Sequence, residues 1–552
     1  MTRHLAPSLV LFTLLATSLH AQVRLPNIFG DHMVLQRGKP VRIWGSGKPN
    51  TAVSVSFAGQ KIDGRVDEKG SFVLVLASMK ASATGRDLVV AGEGGSRTLK
   101  DVLVGEVWVC GGQSNMEWQL RSSRDADVEV PSADYPEMRF IRMPKIARFK
   151  PQSDFPVENP TSRQGNWRKC IPEQVENCTG VGYYFGRRLH RRLRVPVGLI
   201  DTSWGGTMAQ HWASQETLRG IPAMKKYIDD FEKKRSDWVA NGREAGAKSR
   251  YEADLKSWEK KSAQAKVEGE RQPRRPNFNS YTNPEDKGQP GGMMNGVIAP
   301  IARFTIRGAL FYQGENNSFV EAWKPFPRTF PAVIAGWRAA FGDPDMPFGI
   351  VQIAGWSTRR SMTYDMNHHC NIVREVQFNT WRKTPNTGLI VTFDTNSNGS
   401  IHPGRKLPVG ERSARWALSE VYKVGQGRNS KKPLEWRGPI YKSMSVEGKR
   451  IRVSFDDSSV RGLRLDQDVE VGFYIAGADR VFHHARVRVD KGKQLIVWND
   501  DVKAPVAVRY GWSNLPVGGL MNARELPAYP FRTDTWPMVP HQSKGAYEVD
   551  KN

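Results

Sequence analysis

Ser114 and His402 are the two residues that most readily do chemistry together in this sequence. A serine hydroxyl becomes a nucleophile when a base takes its proton and nearby donors hold the oxyanion that follows. Ser114 comes after the apolar run Val107, Trp108, Val109 and Cys110 and the pair Gly111 and Gly112. An apolar run bounded by glycines reads as a buried strand. Glycines just beyond it tolerate the positive φ of a sharp turn, which lifts the next serine out of the sheet. The same residues also suit a strand, a tight turn and a helix N-cap, a position that serine favours. Both readings fit this stretch taken alone. His402 is the best base: it sits on a loop after a strand pattern, and Pro403 biases it to an extended backbone. The oxyanion donors would be the N–H of Ser114, an N–H at Gly205 or Gly206 and the side-chain amide of Gln313. Each such donor is worth about 3 kcal/mol in a dry site.

These groups need a scaffold that gathers them. From Gly105 onward, apolar runs alternate with helical segments, the sign of a parallel sheet with crossover helices. Val107 to Cys110, Val197 to Ile200, Arg307 to Tyr312, Phe348 to Ile353 and Thr387 to Phe393 read as its strands. A polar connection runs from Ser114 to about residue 165. Tyr183, Phe185 and Leu189 lie on one helix, and another closes the unit from about Pro408 to Tyr422. The polar, Gly-rich segments cluster after the apolar runs, at the sheet edge where open α/β proteins bind ligands. Ser114, Gly205, Gly206, Gln313, Asp394 and His402 are therefore expected in one crevice.

The rest of the chain frames this unit. Residues 22–104 alternate apolar and polar with frequent turns, so an N-terminal antiparallel β domain is expected. Short strand patterns return over 432–538 and predict a second β domain. The hydrolase-type unit spans 105–425, interrupted at about 215–290. There Met224, Tyr227, Ile228 and Phe231, then Tyr251, Leu255 and Trp258, keep helical spacing. A break at Asn241-Gly242 makes this a charged helical hairpin, followed by a Pro/Gly-rich loop. Residues 1–21 have the pattern of a signal peptide: Arg3 and His4, an apolar Leu9 to Leu15, and cleavage after Ala21. The expected location is secreted or periplasmic, with no stable membrane insertion.

Composition excludes several alternatives. Hydrophobic residues make up 39% of 552, with 17 tryptophans, enough to bury several cores. The net charge is +25, but no nucleic-acid motif accompanies it, so no nucleic-acid partner is expected. Cys170 and Cys178 are near enough in sequence to bridge in an oxidising compartment, whereas Cys110 and Cys370 read as buried thiols. There is no C-x-x-C or H-E-x-x-H spacing, so a metal site has no positive support.

Gly112-Gln-Ser-Asn-Met-Glu117, Trp204-Gly-Gly-Thr207, Tyr312-Gln-Gly-Glu-Asn-Asn317 and Ile401-His-Pro403 resemble, in this order, the sequence blocks of the sialate O-acetylesterase-like branch of the SGNH hydrolases. Met33-Val-Leu-Gln-Arg37 with Trp44-Gly45 is similar to that family's N-terminal β domain. Gly472 to Gly477 and Arg509 to Asn514 are similar to its C-terminal part. The resemblance implies an SGNH-type three-layer α/β/α domain with a parallel sheet, flanked by antiparallel β domains. It implies a Ser–His esterase that removes O-acetyl groups from a sugar or glycan without a cofactor. Ser114 would be the nucleophile, His402 the base, and Gly205, Gly206 and Gln313 part of the oxyanion hole. Gln113, Asn115, Glu315 and Asn316 beside them are expected to contact substrate.

Three departures from the family pattern matter. Ser400 and Gly399 stand where relatives carry an aspartate before the histidine, so Asp394 is the nearest upstream acid for a triad. The alternative is a Ser–His dyad with a backbone carbonyl orienting His402. Asn316 replaces a serine, and Gln210 stands where a glutamate is frequent. Two other activities compete with sialate deacetylation: O-deacetylation of xylan or another polysaccharide, and glycan binding with little catalysis.

Overall fold

A computed structural model describes residues 23–157, 164–240, 244–270, 272–273, 275–276, 284–356, 368–396, 400–426, 432–466 and 472–537. The signal-type segment 1–21 and the Asn241-Gly242 break lie outside the described residues.

The chain opens with short strands. These are β1 (Val34–Gln36), β2 (Val41–Ser46), β3 (Ala52–Phe57), β4 (Gln60–Arg65), β5 (Ser71–Leu76) and β6 (Ser82–Gly92). Apolar side chains alternate with polar ones, and in β5 every second residue is buried. That is how a sheet with one covered face should read. Most pairs are antiparallel, as the sequence predicts: β2 with β5, and β3 with β4 and β6.

One strand then joins the two units. β7 (Gly95–Gly112) runs antiparallel to β6 in its first part, and its last eleven residues are all buried. Those residues form the centre of a sheet with β8 (Tyr135–Arg142), β9 (Trp167–Cys170), β10 (Val197–Asp201), β11 (Gly308–Tyr312), β12 (Phe348–Val351) and β13 (Thr387–Ile390). The order is β13-β12-β11-β7-β10-β8-β9. Every pair is parallel except β8 with β9. The connection read as polar up to residue 165 thus contains a sheet strand. Only Met138 to Ile141 of β8 are fully buried, and the Tyr-Pro-Glu start masks the apolar run.

The helices that bear on the site and its layers are α1 (Ser114–Glu117), α2 (Gly180–Leu193), α3 (Lys225–Ala240), α4 (Glu244–Glu268), α5 (Phe326–Phe341), α6 (Cys370–Lys383) and α7 (Leu407–Trp416). Successive strand residues face opposite sides, and this assigns the layers. Trp108 packs its ring on Phe185 of α2 and Trp416 of α7, at 5.1 and 6.0 Å between centroids. A Cβ on Gly111, three residues on and on the other face, would instead touch Trp337 of α5 at 2.5 Å. The unit is therefore three layers, with α2 and α7 on one face and α5 on the other. α3 and α4 are the expected helical insertion.

The C-terminal part is antiparallel as expected. One sheet joins 441–447, 450–455, 494–498 and 486–490, and another joins 473–476 to its neighbours 482–484 and 507–510. It docks on the α/β unit through the Tyr529 hydroxyl, which donates to Leu389 O of β13 at 3.0 Å. All four cysteines are free and buried, so the structure carries no Cys170–Cys178 bridge.

The junction between the first two units is polar. Glu106 on β7 is fully buried and accepts from Arg37 Nε at 2.5 Å, Arg307 Nε at 2.9 Å and Gln36 Nε2 at 3.1 Å. Burial pushes its carboxyl up, but Arg307, Arg37 and Gln36 together hold it below the usual carboxylate range. Its contribution to stability is present above the unfolded value and is lost as pH falls through the folded one. Glu106→Ala leaves two guanidinium groups facing a buried gap. It is expected to cost about 3 kcal/mol, read as a lowered calorimetric unfolding midpoint.

Candidate active site

Gly112 makes the turn that ends β7. It sits at φ +120°, and a Cβ there would lie 2.1 Å from Tyr312 O, so no larger residue fits. Gln113 is the N-cap of α1 and Ser114 is its first helical residue, so the serine is not the cap. Its hydroxyl instead meets His402, with Oγ 2.7 Å from Nε2. His402 stands on the loop after β13, and its backbone N–H donates to Ser400 Oγ at 3.0 Å. Its ring stacks on Trp118, with centroids 5.4 Å apart and planes at 25°. Both Ser114 and His402 are partly exposed, as groups that meet a substrate must be.

Burial and the Lys406 ammonium hold the His402 imidazole below its ordinary range, and Glu117 acts in the opposite sense. That direction favours the uncharged imidazole, the form that can accept a proton.

The Gly205–Gly206 loop lies beside the serine. A Cβ on Gly205 would be 3.2 Å from Ser114 Cβ. The Gly205 N–H donates to Glu117 Oε2 at 2.7 Å, so this donor already faces a carboxylate. Glu117 is also paired with Lys145. The Ser114 N–H has no protein acceptor among the described residues.

Several assignments made from sequence are corrected. Asp394, the acid expected behind His402, gives both carboxylate oxygens to Arg412, at 2.7 and 2.6 Å. No carboxylate lies within ion-pairing distance of His402 among the described residues. The Gln313 amide is not free for an oxyanion: its Nε2 donates to Gln113 Oε1 at 2.7 Å and to Thr207 O at 2.8 Å. Gln113, Asn115 and Glu315, expected as substrate contacts, are buried. Asn316 is half-buried and donates to Gly206 O at 2.9 Å, which braces the glycine loop. Gln210 is buried and holds Asn317.

These buried amides tie the blocks together. Gln113 Oε1 accepts from Gln313 and, at 3.2 Å, from the Asn316 N–H. Asn115 Nδ2 donates to Glu315 Oε1 at 2.5 Å and to Ile401 O at 3.1 Å, while its Oδ1 accepts from Lys406 Nζ at 2.5 Å. One asparagine thus joins the serine turn, the β11 end and the histidine loop. Burial pushes the Glu315 carboxyl up to about 7 and the Lys406 ammonium down to about 7. The sequence reading gives neither Lys406 nor Glu117 a role: Glu117 ends the Gly112–Glu117 block, and Lys406 stands three residues beyond Ile401-His-Pro403.

Comparison with known proteins follows the same blocks. Residues 104–236 and 291–415 match the family model described as carbohydrate esterase, sialic acid-specific acetylesterase. The stretch between them covers the end of α3, α4 and the loop beyond. The sialate O-acetylesterase of Mus musculus is 26% identical over 544 residues, covering 89% of this chain and 90% of the relative. That of Homo sapiens is 26% identical over 484 residues, covering 79% of this chain and 78% of the relative. The crystal structure of a carbohydrate acetylesterase from Xanthomonas citri is 30% identical, with a TM-score of 0.74. It covers 93% of this chain and 100% of its own.

Asn115→Ala removes three hydrogen bonds at once and leaves Glu315, Lys406 and Ile401 O without this partner. The expected cost is about 2–4 kcal/mol, together with a loss of esterase turnover. Thermal unfolding and acetate release on the same sample check both.

Proposed function

The chain belongs to the sialic acid-specific acetylesterase family of carbohydrate esterases, and from that premise we propose that it removes O-acetyl groups from sugars through an acetyl-Ser114 intermediate. It is a carboxylic ester hydrolase. The observation that carries the reading is the 2.7 Å contact of Ser114 Oγ with His402 Nε2.

Ser114 Oγ attacks the acetyl carbonyl carbon as His402 Nε2 takes the hydroxyl proton. The carbonyl π pair moves to oxygen, which is held by the Ser114 N–H and by N–H groups of the Gly205–Gly206 loop. Glu117 must leave the Gly205 N–H before that donor can act, because an N–H cannot serve two anions fully. The C–O bond to the sugar then breaks. His402 returns its proton to the departing alkoxide, and the deacetylated sugar leaves. Water attacks the acetyl-serine with His402 as base, and acetate is released. In this reading His402 works with Ser114 as a dyad, for no carboxylate among the described residues pairs with its ring.

The three-layer unit is SGNH-type in this reading. The signal-type pattern of residues 1–21 supports export to a secreted or periplasmic site. The substrate is an O-acetylated sugar, and sialates and acetylated polysaccharides share the acyl chemistry that these residues perform. Acetate release across acetylated sialic acids, xylan and other glycans distinguishes them.

Ser114→Ala and His402→Ala are each expected to lower acetate release from p-nitrophenyl acetate by about a thousand-fold or more, with the unfolding midpoint nearly unchanged. Turnover at the wild-type rate in Ser114→Ala removes the serine from its role. Glycan retention on a column without labelling or turnover would favour a binding protein instead.

A further inference from the structure

His402 has a neighbour whose chemistry runs opposite to that of a triad acid. Lys406 is 1% exposed, at the start of α7 and four residues beyond the histidine. Its Nζ donates to Asn115 Oδ1 at 2.5 Å. The same ammonium lies over the rings of Trp118 and Tyr312, 5.5 and 5.6 Å from their centroids. Each contact leads to the histidine. Asn115 holds Ile401 O, one peptide before His402, and Trp118 stacks on the imidazole. A cation this deeply buried is rare without a purpose, because desolvation disfavours its charge.

We propose that Lys406 is the positioning residue for His402: through Asn115 and Trp118 its buried ammonium holds the imidazole against Ser114. This rests on the reading of Ser114 and His402 as nucleophile and base. A triad carboxylate orients the histidine and stabilises its cation. Lys406 supplies the orientation from the opposite side and penalises the cation, so the ring stays a base to lower pH.

The charges facing His402 support this sign. From α1, Glu117 favours the imidazolium, but it is paired with Lys145. At the start of the histidine loop, Asp394 is spent on Arg412. Arg405, the loop's other cation, is exposed, and its guanidinium turns to Asp394 O. Behind Asn115, Glu315 is the acid among the described residues whose charge acts on Lys406. Burial raises the Glu315 carboxyl and lowers the Lys406 ammonium, each to about 7, so neither charge is fully held by the other.

The test is the pH profile of kcat/KM on p-nitrophenyl acetate for the full chain and three variants. The wild-type acid limb is expected below pH 6.5, the ordinary histidine value. Lys406→Gln keeps a donor for Asn115 without the charge. It should retain plateau activity within a few fold and move the acid limb up by about half a pH unit. Lys406→Met loses the donor as well, and its plateau kcat should fall about tenfold, with KM less changed. Glu117→Gln should move the limb down. A limb unmoved in Lys406→Gln, or an undiminished kcat in folded Lys406→Met, overturns the proposal. Should neither Lys406 variant fold, a wild-type limb at or above pH 6.5 overturns it and one below supports it. Turnover surviving in Ser114→Ala overturns the underlying Ser–His reading instead.

Discussion

The 2.7 Å hydrogen bond between Ser114 and His402 joins residues 288 apart in the chain. Neither partner can find the other by local structure. The serine is delivered by the turn after β7, the central strand, whose register with β10 and β11 is fixed by backbone hydrogen bonds. The histidine arrives on the loop after β13, at the edge of the same sheet. A parallel sheet brings all its carboxyl ends to one side, so five parallel pairings set where these two groups meet. A one-residue slip of β11 against β7 would move Tyr312 from Gly112 and break the close approach that only glycine allows.

The remaining precision comes from polar groups that are buried and satisfied. Gln113, Asn115, Gln313 and Asn317 pair their amides with one another, with Glu315, Lys406 and Gln210 and with backbone, and half-buried Asn316 donates to Gly206 O. Buried amides are costly when unpaired and directional when paired, so such a set permits one arrangement and penalises the rest. Glu315 Oε2 is the exception, a buried oxygen without a hydrogen-bond partner among the described residues. A protonated carboxyl there avoids an uncompensated charge, in keeping with the upward shift that burial imposes on it.

Much of the scaffold was legible because apolar runs and glycines report burial directly. β10, β11, β12 and β13 each coincide with an uninterrupted apolar stretch, and the serine and histidine were distinguished by residue type at strand ends. β8 was not legible, because Tyr135, Pro136 and Glu137 dilute its pattern. Asp394 drew attention through its nearness in sequence, while Arg412, a full element later, decides where its carboxylate points. The polar residues around Ser114 looked like substrate contacts because sequence does not tell a buried amide from an exposed one. Lys406 was invisible for the same reason, since a lone lysine before a helix ordinarily faces water.

The central claim is that the Ser114 hydroxyl is a nucleophile made reactive by the His402 ring. Reaction with a fluorophosphonate, followed by peptide mass mapping, tests it most directly. The account predicts one phosphonyl adduct, on Ser114, formed much more slowly when His402 is replaced by alanine. An adduct on another residue, or equally fast labelling without His402, would contradict it.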